Sequence, residues 1–179
     1  MHVATHYLED FLVQIDRHKK LAEGAISQLS DEELFRAIDP ESNSVAVVMR
    51  HVGGNLRSRF TDFLTTDGEK PDRDRESEFE ERPYDRAELE RLWRRGFTVV
   101  EDALAPLTDA DLARTVTIRG RPLTVHAALT RSVAHVAYHV GQIVLLARIT
   151  AGSPWESLSI PRGQSATYDA SPTREQRPG

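Results

Sequence analysis

Cysteine is absent from the sequence, and this absence excludes several kinds of site at once. The chain can form no disulfide, no thiolate metal site and no cysteine nucleophile. Any bound metal ion must be held by histidine, carboxylate or neutral oxygen ligands. A basic surplus is also lacking, since the formal net charge is −5. We therefore expect no nucleic-acid partner, because binding to phosphates requires a positive surface.

Long uncharged hydrophobic runs are missing as well. No run approaches the roughly 20 residues needed to cross a bilayer, so we expect no membrane partner. The segment MHVATHYLED lacks the basic and apolar regions of a signal peptide. These absences predict a cytoplasmic protein. Its 179 residues, 39% of them hydrophobic, fit a single domain with a normal core.

Hydrophobic residues recur at intervals of three and four in four segments, which predicts four helices. They cover approximately residues 8–29, 44–64, 85–107 and 124–150. LSDEELF, after the first helix, is interpreted as a helix end with a short turn. Ser42, Asn43 and Ser44 are candidate N-caps for the second helix, Asp85 for the third and Thr124 for the fourth.

The segments between the helices complete the predicted fold. Residues 65–84 are polar and too long for a tight turn, which favours a crossover connection. Residues 113–125 alternate β-branched and polar side chains around Arg119-Gly120 and predict a hairpin. The predicted fold class is all-α, a four-helix bundle with a long crossover between helices 2 and 3 and a small β-hairpin before helix 4. The bundle is predicted over residues 1–160, with WESLSIP packing back onto it, and a partly disordered C-terminal tail over residues 161–179.

Two histidines lie in one of the most apolar helical stretches, SVAHVAYHVGQIVLLAR. His135 and His139 are four residues apart, so both side chains project from one face of the helix. Burying an imidazole without a partner is costly. Two interpretations remain open. The pair binds one metal ion, or each ring is a core histidine bonded to a carbonyl or a carboxylate.

His51, on the inward stripe of the second predicted helix, is the candidate third ligand. Gly53 and Gly54 follow it in mid-helix, where each costs about 1 kcal/mol relative to alanine. They either allow a neighbouring helix or a small ligand to approach the backbone beside His51, or they merely bend or thin the helix.

The remaining histidines are weaker candidates. His2 and His6 lie near a chain end that is expected to fray. His18 lies in the charged segment DRHKK, and His126 is about half a helical rotation away from His135.

Three imidazoles from two helices suit Zn²⁺, Ni²⁺ or Fe²⁺, whereas Ca²⁺ and Mg²⁺ prefer oxygen. Three protein ligands would leave a position for water or substrate, as in catalytic sites. Asn55 either orients a water or substrate or fills a polar gap between helices. Gln142 either bonds across the bundle or serves packing. Four basic residues either close over the site and bind an anion or are solvated: Lys70, Arg73, Arg75 and Arg162.

Three segments resemble a known group of proteins. SVAVVMRHVGGNLRSRFTDFL, TVTIRGRPLTV and HVAYHVGQI are similar to the DinB-like superfamily of metal-binding four-helix bundles, also called the damage-inducible or YfiT-like group. The resemblance covers nearly the whole chain. DFLTTDGEKPDRDRESEFE and SLSIPRGQS look like a bacterial subfamily of unknown function.

This resemblance implies a bundle with a long crossover, often paired as a homodimer, and a three-histidine divalent metal site. Carried over by matching residues, the ligands would be His51, His135 and His139. Better-understood relatives use mycothiol, bacillithiol or a related thiol for S-transfer or isomerisation. This chain shows no recognisable thiol-binding motif.

Two functions of different classes are expected. The first is a metal-dependent transferase acting on a small molecule, with a low-molecular-weight thiol as an optional cofactor. A hydrolase is less favoured, because no carboxylate base is apparent near the histidines. The second is a non-catalytic, metal-bound homodimer acting in stress response or interaction, compatible with the nearly all-round apolar fourth helix. Zinc or nickel is the expected metal, iron is a further option, and the catalytic residues are unknown apart from the candidate Asn55.

Overall fold

The computed structural model describes residues 6–80, 85–152 and 155–172. These residues form helices, two 3₁₀ turns (Glu76–Glu78 and Asp109–Ala113) and one two-stranded sheet. The helices are α1 (Tyr7–Ile26), α2 (Asp31–Phe35), α3 (Val45–Phe60), α4 (Arg86–Leu104), α5 (Val125–Ala151) and α6 (Ser165–Asp169), and the strands are β1 (Thr115–Ile118) and β2 (Arg121–Thr124). The predicted all-α fold class, with a small hairpin before the last long helix, is confirmed.

The four long helices pack as two pairs. α3 packs most extensively on α4, α1 packs most extensively on α5, and a contact between α3 and α5 joins the two pairs. The core between them includes the fully buried rings of Phe60, Trp93 and Phe97. This arrangement places α3 and α5, which carry the three candidate histidines, side by side.

Short polar side chains begin three of these helices, as the sequence predicts. Ser44, Asp85 and Thr124 each accept a hydrogen bond from a backbone N–H in the first helical turn, at 3.2, 2.7 and 3.1 Å. Each bond satisfies a donor that would otherwise have no partner inside the helix.

Three predicted helix ends differ from the structure, and one of them is α4, which ends at Leu104 and not near residue 107. LSDEELF forms the separate helix α2, because Ser30 opens a reciprocal capping box with Glu33. The Ser30 backbone N–H donates to the Glu33 carboxylate at 2.8 Å. α3 ends at Phe60 instead of near Leu64, and Asp62 takes the left-handed conformation just beyond it, with φ 47°.

Buried side chains of α3 hold the crossover that connects α3 to α4. The Arg50 guanidinium donates to the backbone carbonyl of Glu78 at 2.7 Å. The Ser58 hydroxyl donates to the carbonyl of Gly68 at 2.9 Å. The described part of the crossover is therefore fixed on the helix that carries His51, while residues 81–84 lie outside the described residues.

The hairpin is also fixed on the crossover. β1 pairs antiparallel with β2, and Arg119 and Gly120 form the turn with φ of 53° and 70°. Positive φ at both positions is typical of a two-residue hairpin turn. Their backbone N–H groups both donate to the Asp67 carboxylate, each at 2.8 Å. The turn is thus held beside the beginning of the crossover.

The chain after α5 returns to the bundle, as predicted for WESLSIP. Trp155 and Leu158 pack against the core, and the Gln28 side chain accepts a hydrogen bond from the Glu156 backbone N–H at 2.8 Å. The short helix α6 follows, which the sequence did not predict. The domain boundary at residue 160 stays a prediction, and residues 173–179 of the predicted tail lie outside the described residues.

α5 is the one helix of the described residues that is long and apolar enough to span a membrane, with a mean hydropathy of 1.2. It packs on both α1 and α3 inside the bundle. Only 28% of its most apolar 18-residue stretch is buried inside the bundle.

Candidate metal centre

The contact between α3 and α5 brings His51, His135 and His139 together. One nitrogen from each ring lies within 4.8 Å of the others. The pairwise distances between ring centroids are 5.2 Å for His51 and His135, 4.8 Å for His51 and His139, and 4.5 Å for His135 and His139. His51 is buried and the other two rings are half-buried. The three predicted ligands therefore form one cluster at the joint between the two helix pairs.

The other described histidines lie elsewhere. The half-buried His18 ring contacts the Gln14 carbonyl at 2.7 Å. His126 packs against the Tyr7 ring, with centroids 4.4 Å apart. His6 is exposed and precedes α1, and His2 lies outside the described residues.

The Glu78 carboxylate fixes the orientation of the His51 ring. His51 Nδ1 lies 2.9 Å from Glu78 Oε2, and both side chains are buried. Because an ionised carboxylate only accepts hydrogen bonds, the Nδ1–H of His51 donates to Glu78. The lone pair on Nε2 then faces the other two histidines. This carboxylate–histidine arrangement is the outer shell usual for metal-ligating histidines.

Arg73 keeps Glu78 in its ionised form. The Arg73 guanidinium donates to both carboxylate oxygens of Glu78, at 2.8 and 2.9 Å. Burial alone would raise the pKa of the Glu78 carboxyl, but the hydrogen bonds from His51 and Arg73 outweigh it and lower this pKa. Glu78 is thus a charged acceptor whose two oxygens are already bonded.

Gln142 fixes the orientation of the His139 ring in a similar way. His139 Nδ1 lies 2.7 Å from the side-chain oxygen of Gln142, one turn further along α5. The Gln142 amide nitrogen donates to the Tyr138 hydroxyl at 3.2 Å, which identifies the opposite end of the amide as the acceptor. His139 therefore carries its proton on Nδ1 and directs its Nε2 lone pair away from Gln142. Gln142 does not bond across the bundle, the first of its two predicted roles.

His135 is the least satisfied of the three rings. Its Nδ1 is buried and has no hydrogen-bond partner among the described residues. Burial, followed by the charges of His139, His51, Arg59 and Arg73, lowers the pKa of His135 to about 3. Burial also lowers the pKa of His139. Both rings are therefore neutral near pH 7, and neutral imidazole is the form that binds metal.

The separation of two ring nitrogens fits a shared metal ion. His51 Nε2 and His135 Nε2 are 3.3 Å apart. Two nitrogens bound to a tetrahedral Zn²⁺ at about 2.0–2.1 Å would be separated by roughly 3.3–3.4 Å. A direct N–H···N hydrogen bond with this separation of 3.3 Å would be longer than usual. This pair therefore fits one divalent ion, and one nitrogen of His139 lies within 4.8 Å of the ligand atoms of the other two rings.

The two glycines after His51 have separate structural reasons. A Cβ at Gly53 would lie 2.9 Å from the backbone oxygen of Leu92, because α4 approaches closely there. A Cβ at Gly54 would overlap the Glu78 carboxylate. The first glycine admits a neighbouring helix, as the sequence analysis proposed. The second makes room for the side chain that holds His51.

A cavity of about 130 Å³ adjoins the cluster, and His51 and His135 are in its wall. Asn55, which is 8% exposed, lines the same cavity one turn beyond His51. Arg119 also lines it, and 59% of that side chain is exposed, so the cavity reaches the protein surface. No fourth histidine or carboxylate joins the metal-ligating group among the described residues. The cluster is thus open to solvent on the cavity side.

The four basic residues singled out in the sequence separate into two groups. Arg73 and Arg75 line this cavity. Lys70 lines a second cavity, which Arg73 also lines, and Arg162 is an exposed residue outside both cavity walls.

Sequence reasoning missed Glu78. It lies in a polar segment with no periodicity, where nothing distinguishes it from its exposed neighbour Glu76. The only local signal was Gly54, whose missing side chain leaves the space that Glu78 fills.

Comparison with known proteins identifies the family of the chain and nothing more specific. A protein-family model described as "Protein of unknown function (DUF1572)" matches residues 2–164. No curated protein and no solved structure matches the chain significantly.

Proposed function

The chain belongs to the DUF1572 family, and we propose that it binds one divalent metal ion through His51, His135 and His139 and acts as a metal-dependent transferase on a small molecule. We further propose that the family is part of the DinB-like superfamily, on the strength of the motifs around these histidines. Zinc or nickel is the proposed metal and iron is a further option, because all three accept imidazole ligands.

One observation carries the metal assignment. The Nδ1 atoms of His51 and His139 are held by Glu78 and Gln142, so that both Nε2 lone pairs are free of their outer partners. The distance of 3.3 Å from His51 Nε2 to His135 Nε2 suits two ligands of one ion. Core histidines also form such outer hydrogen bonds, so the short distance between the two Nε2 atoms is what favours a shared ion.

The open side of the cluster favours a catalytic function over a structural one. A structural metal site is usually closed by four protein ligands, whereas a catalytic site keeps a position for water or substrate. When bound, the metal would act as a Lewis acid that lowers the pKa of a water or thiol ligand. Asn55 lies in the wall of the adjoining cavity, and we propose that it orients a substrate there.

The transferase is preferred over a hydrolase because the nearest carboxylate is already engaged. Both oxygens of Glu78 accept hydrogen bonds, from His51 and Arg73. A lowered pKa makes this carboxylate a weak base, poorly suited to removing a proton from water. A thiol cofactor would supply the nucleophile itself, so a thiol-dependent transferase depends less on a carboxylate base from the protein.

Metal analysis of untagged protein tests the assignment. Elemental analysis should find close to one equivalent of zinc, nickel or iron in the wild type and almost none in His135→Ala. His126→Ala is the matched control, since this histidine lies on the same helix away from the cluster, and it should keep its metal. Equal metal in the wild type and in His135→Ala would overturn the proposal.

The catalytic part is tested separately. Metal-loaded protein should accelerate the consumption of mycothiol or bacillithiol by an electrophilic small molecule, and chelator-treated protein should not. Loss of metal in His135→Ala with no thiol consumption by any form would favour the second function, a non-catalytic metal-bound protein.

The exposed face of α5 supports that second function and the proposed homodimer. Tyr138, Leu145 and Ile149 are 64%, 61% and 52% exposed and lie on one side of α5. Large apolar side chains in such a stripe are typical of a surface that a partner covers. Light scattering should give twice the monomer mass for the wild type and a lower mass for Leu145→Lys. A monomeric wild type would contradict the homodimer.

We also propose a cytoplasmic location.

A further inference from the structure

The cavity beside the histidine cluster is unusually rich in arginine. Five arginines are in its wall: Arg59, Arg73, Arg75, Arg119 and Arg131. They come from α3, the crossover, the hairpin turn and α5, so the fold gathers them from four separate segments. The chain as a whole carries a net charge of −5. A concentration of positive charge at one small cavity is therefore a local feature of this protein.

The carboxylates around the cavity do not balance these charges. No aspartate or glutamate is among the described residues of its wall. The guanidiniums hydrogen-bond to only three described carboxylates, those of Glu69, Glu76 and Glu78. Glu69 alone accepts from three of the arginines. Five guanidiniums face three carboxylates, so two positive charges remain in excess. A bound divalent metal would increase this excess.

The five arginines do not all have the same function. Arg59 and Arg73 have buried side chains that are already bonded. Arg59 donates to Gly68 and Glu69, and Arg73 donates to Glu69 and Glu78. These two hold the crossover in place and contribute mainly their charge.

Arg119 and Arg131 have donors left for a ligand. Arg119 uses Nε in its bond to Glu69, at 2.8 Å, while the side chain remains 59% exposed. Arg131 is exposed and has no ion pair with a described residue. Guanidinium N–H groups match the geometry of carboxylate and phosphate oxygens. Ser132, buried in the same wall, can add a hydroxyl donor.

We infer that this cavity binds an oxyanion group, a carboxylate or a phosphate, on the small molecule that the protein acts on, with Arg119 and Arg131 as its direct contacts. The inference rests on the proposed function in one respect, since it takes the anion to be part of the substrate of the metal centre. A cavity of about 130 Å³ admits one such group and leaves the remainder of the molecule outside. The substrate class is thus a small organic anion.

Titration with inorganic phosphate and with acetate tests the inference by calorimetry at constant ionic strength. Arg119→Gln and Arg131→Gln should each weaken binding of the preferred anion by about fivefold to tenfold, the effect expected for loss of one charge-assisted hydrogen bond near the surface. Arg121→Gln is the matched control, because Arg121 is an exposed residue of the same hairpin outside the cavity wall. It should bind as the wild type does.

The two probes distinguish the sources of the oxyanion. Tighter binding of phosphate identifies a phosphate ester as the substrate class, and tighter binding of acetate identifies a carboxylic acid. Equal weakening by all three substitutions, or by none, would overturn the inference, since the anion would then respond to surface charge alone or bind elsewhere. Arg131→Gln removes no described ion pair, so its result does not depend on the packing of the crossover.

Metal content of the same samples keeps the two proposals apart. Arg119→Gln and Arg131→Gln should retain the metal found in the wild type. If the wild type binds no metal and the anion still depends on Arg119 and Arg131, the metal proposal fails and the anion site stands. If metal is bound and neither probe binds more tightly to the wild type than to the two variants, the anion site fails and the metal proposal stands.

Discussion

His51 on α3 and Glu78 in the crossover are 27 positions apart in the chain, yet His51 Nδ1 lies 2.9 Å from Glu78 Oε2 in a buried contact. Arg73 and Arg50 hold Glu78 from the other side, through its carboxylate and its backbone carbonyl. The crossover thereby supplies the hydrogen-bond acceptor that orients the ring of His51. Its effect on metal affinity can be measured.

Glu78→Gln should weaken metal binding by about 10-fold to 100-fold, the range usual when the outer partner of a ligating histidine is lost. The amide keeps the size of the side chain but removes the charge that favours Nδ1–H on His51. A competition titration with a chromogenic chelator measures the change. Glu76→Gln is the control, because the side chain of this neighbour is 85% exposed and accepts from Arg75, not from a residue of the cluster. Equal affinities for the two variants would contradict the role of Glu78.

Gly54→Ala should reduce metal affinity without unfolding the protein. The added methyl group would overlap the end of the Glu78 side chain and displace the carboxylate from its buried bonds to His51 and Arg73, at a cost of about 1–3 kcal/mol in stability. His51 would then lose its acceptor. Gly141→Ala serves as the control, since a Cβ there meets nothing within 4 Å. Circular dichroism measures the melting temperature, and the chelator titration measures the metal affinity. An unchanged affinity with a lowered melting temperature would contradict the prediction.

Gly96→Ala should destabilise the fold by about 1–3 kcal/mol, the usual cost of overpacking. A Cβ at Gly96 would lie 2.9 Å from both Cα and O of Gly53, where α3 and α4 are closest. Backbone atoms of a packed helix cannot move aside as a side chain can. Urea denaturation measures the free energy of unfolding. Gly141→Ala should instead be neutral or stabilise by up to about 1 kcal/mol, and a similar result for Gly96→Ala would show that the helices can separate freely.

The stability of the metal-free protein should fall as the pH is lowered below about 6.5. Burial lowers the pKa of His135 to about 3 in the folded protein, whereas a free imidazole has a pKa of about 6.5. Between these values the unfolded chain binds the additional proton, so the contribution is present above pH 6.5 and is lost as the pH falls towards 3.

The slope from this ring is at most about 1.4 kcal/mol per pH unit, and solvent around the half-buried ring reduces it. Urea denaturation in the presence of a chelator at pH 7, 6 and 5 measures it. His135→Gln lacks the titrating group and should show a shallower dependence. Parallel curves for the two proteins would contradict the assignment of the slope to this residue.

The sequence contained enough information for the bundle, the hairpin and the three histidines. Apolar periodicity and caps such as Thr124 are local signals, and the spacing of His135 and His139 directly gives two side chains on one helix face. The partners of these histidines could not be predicted in the same way. Glu78, Arg59 and Arg119 lie in segments whose positions depend on long-range contacts, and no periodicity shows which polar residues the crossover turns inward.

Asp67 determines one further property of the site. Its single carboxylate ties the hairpin turn to the start of the crossover, through the backbone N–H groups of Arg119 and Gly120. Arg119 and the crossover residues Arg73 and Arg75 line the cavity beside the histidines. Asp67 therefore joins the two segments that supply this side of the cavity wall, and it limits how far they can part. Asp67→Ala, which removes both bonds, should loosen this wall and let the cavity accept larger anions than the wild type does.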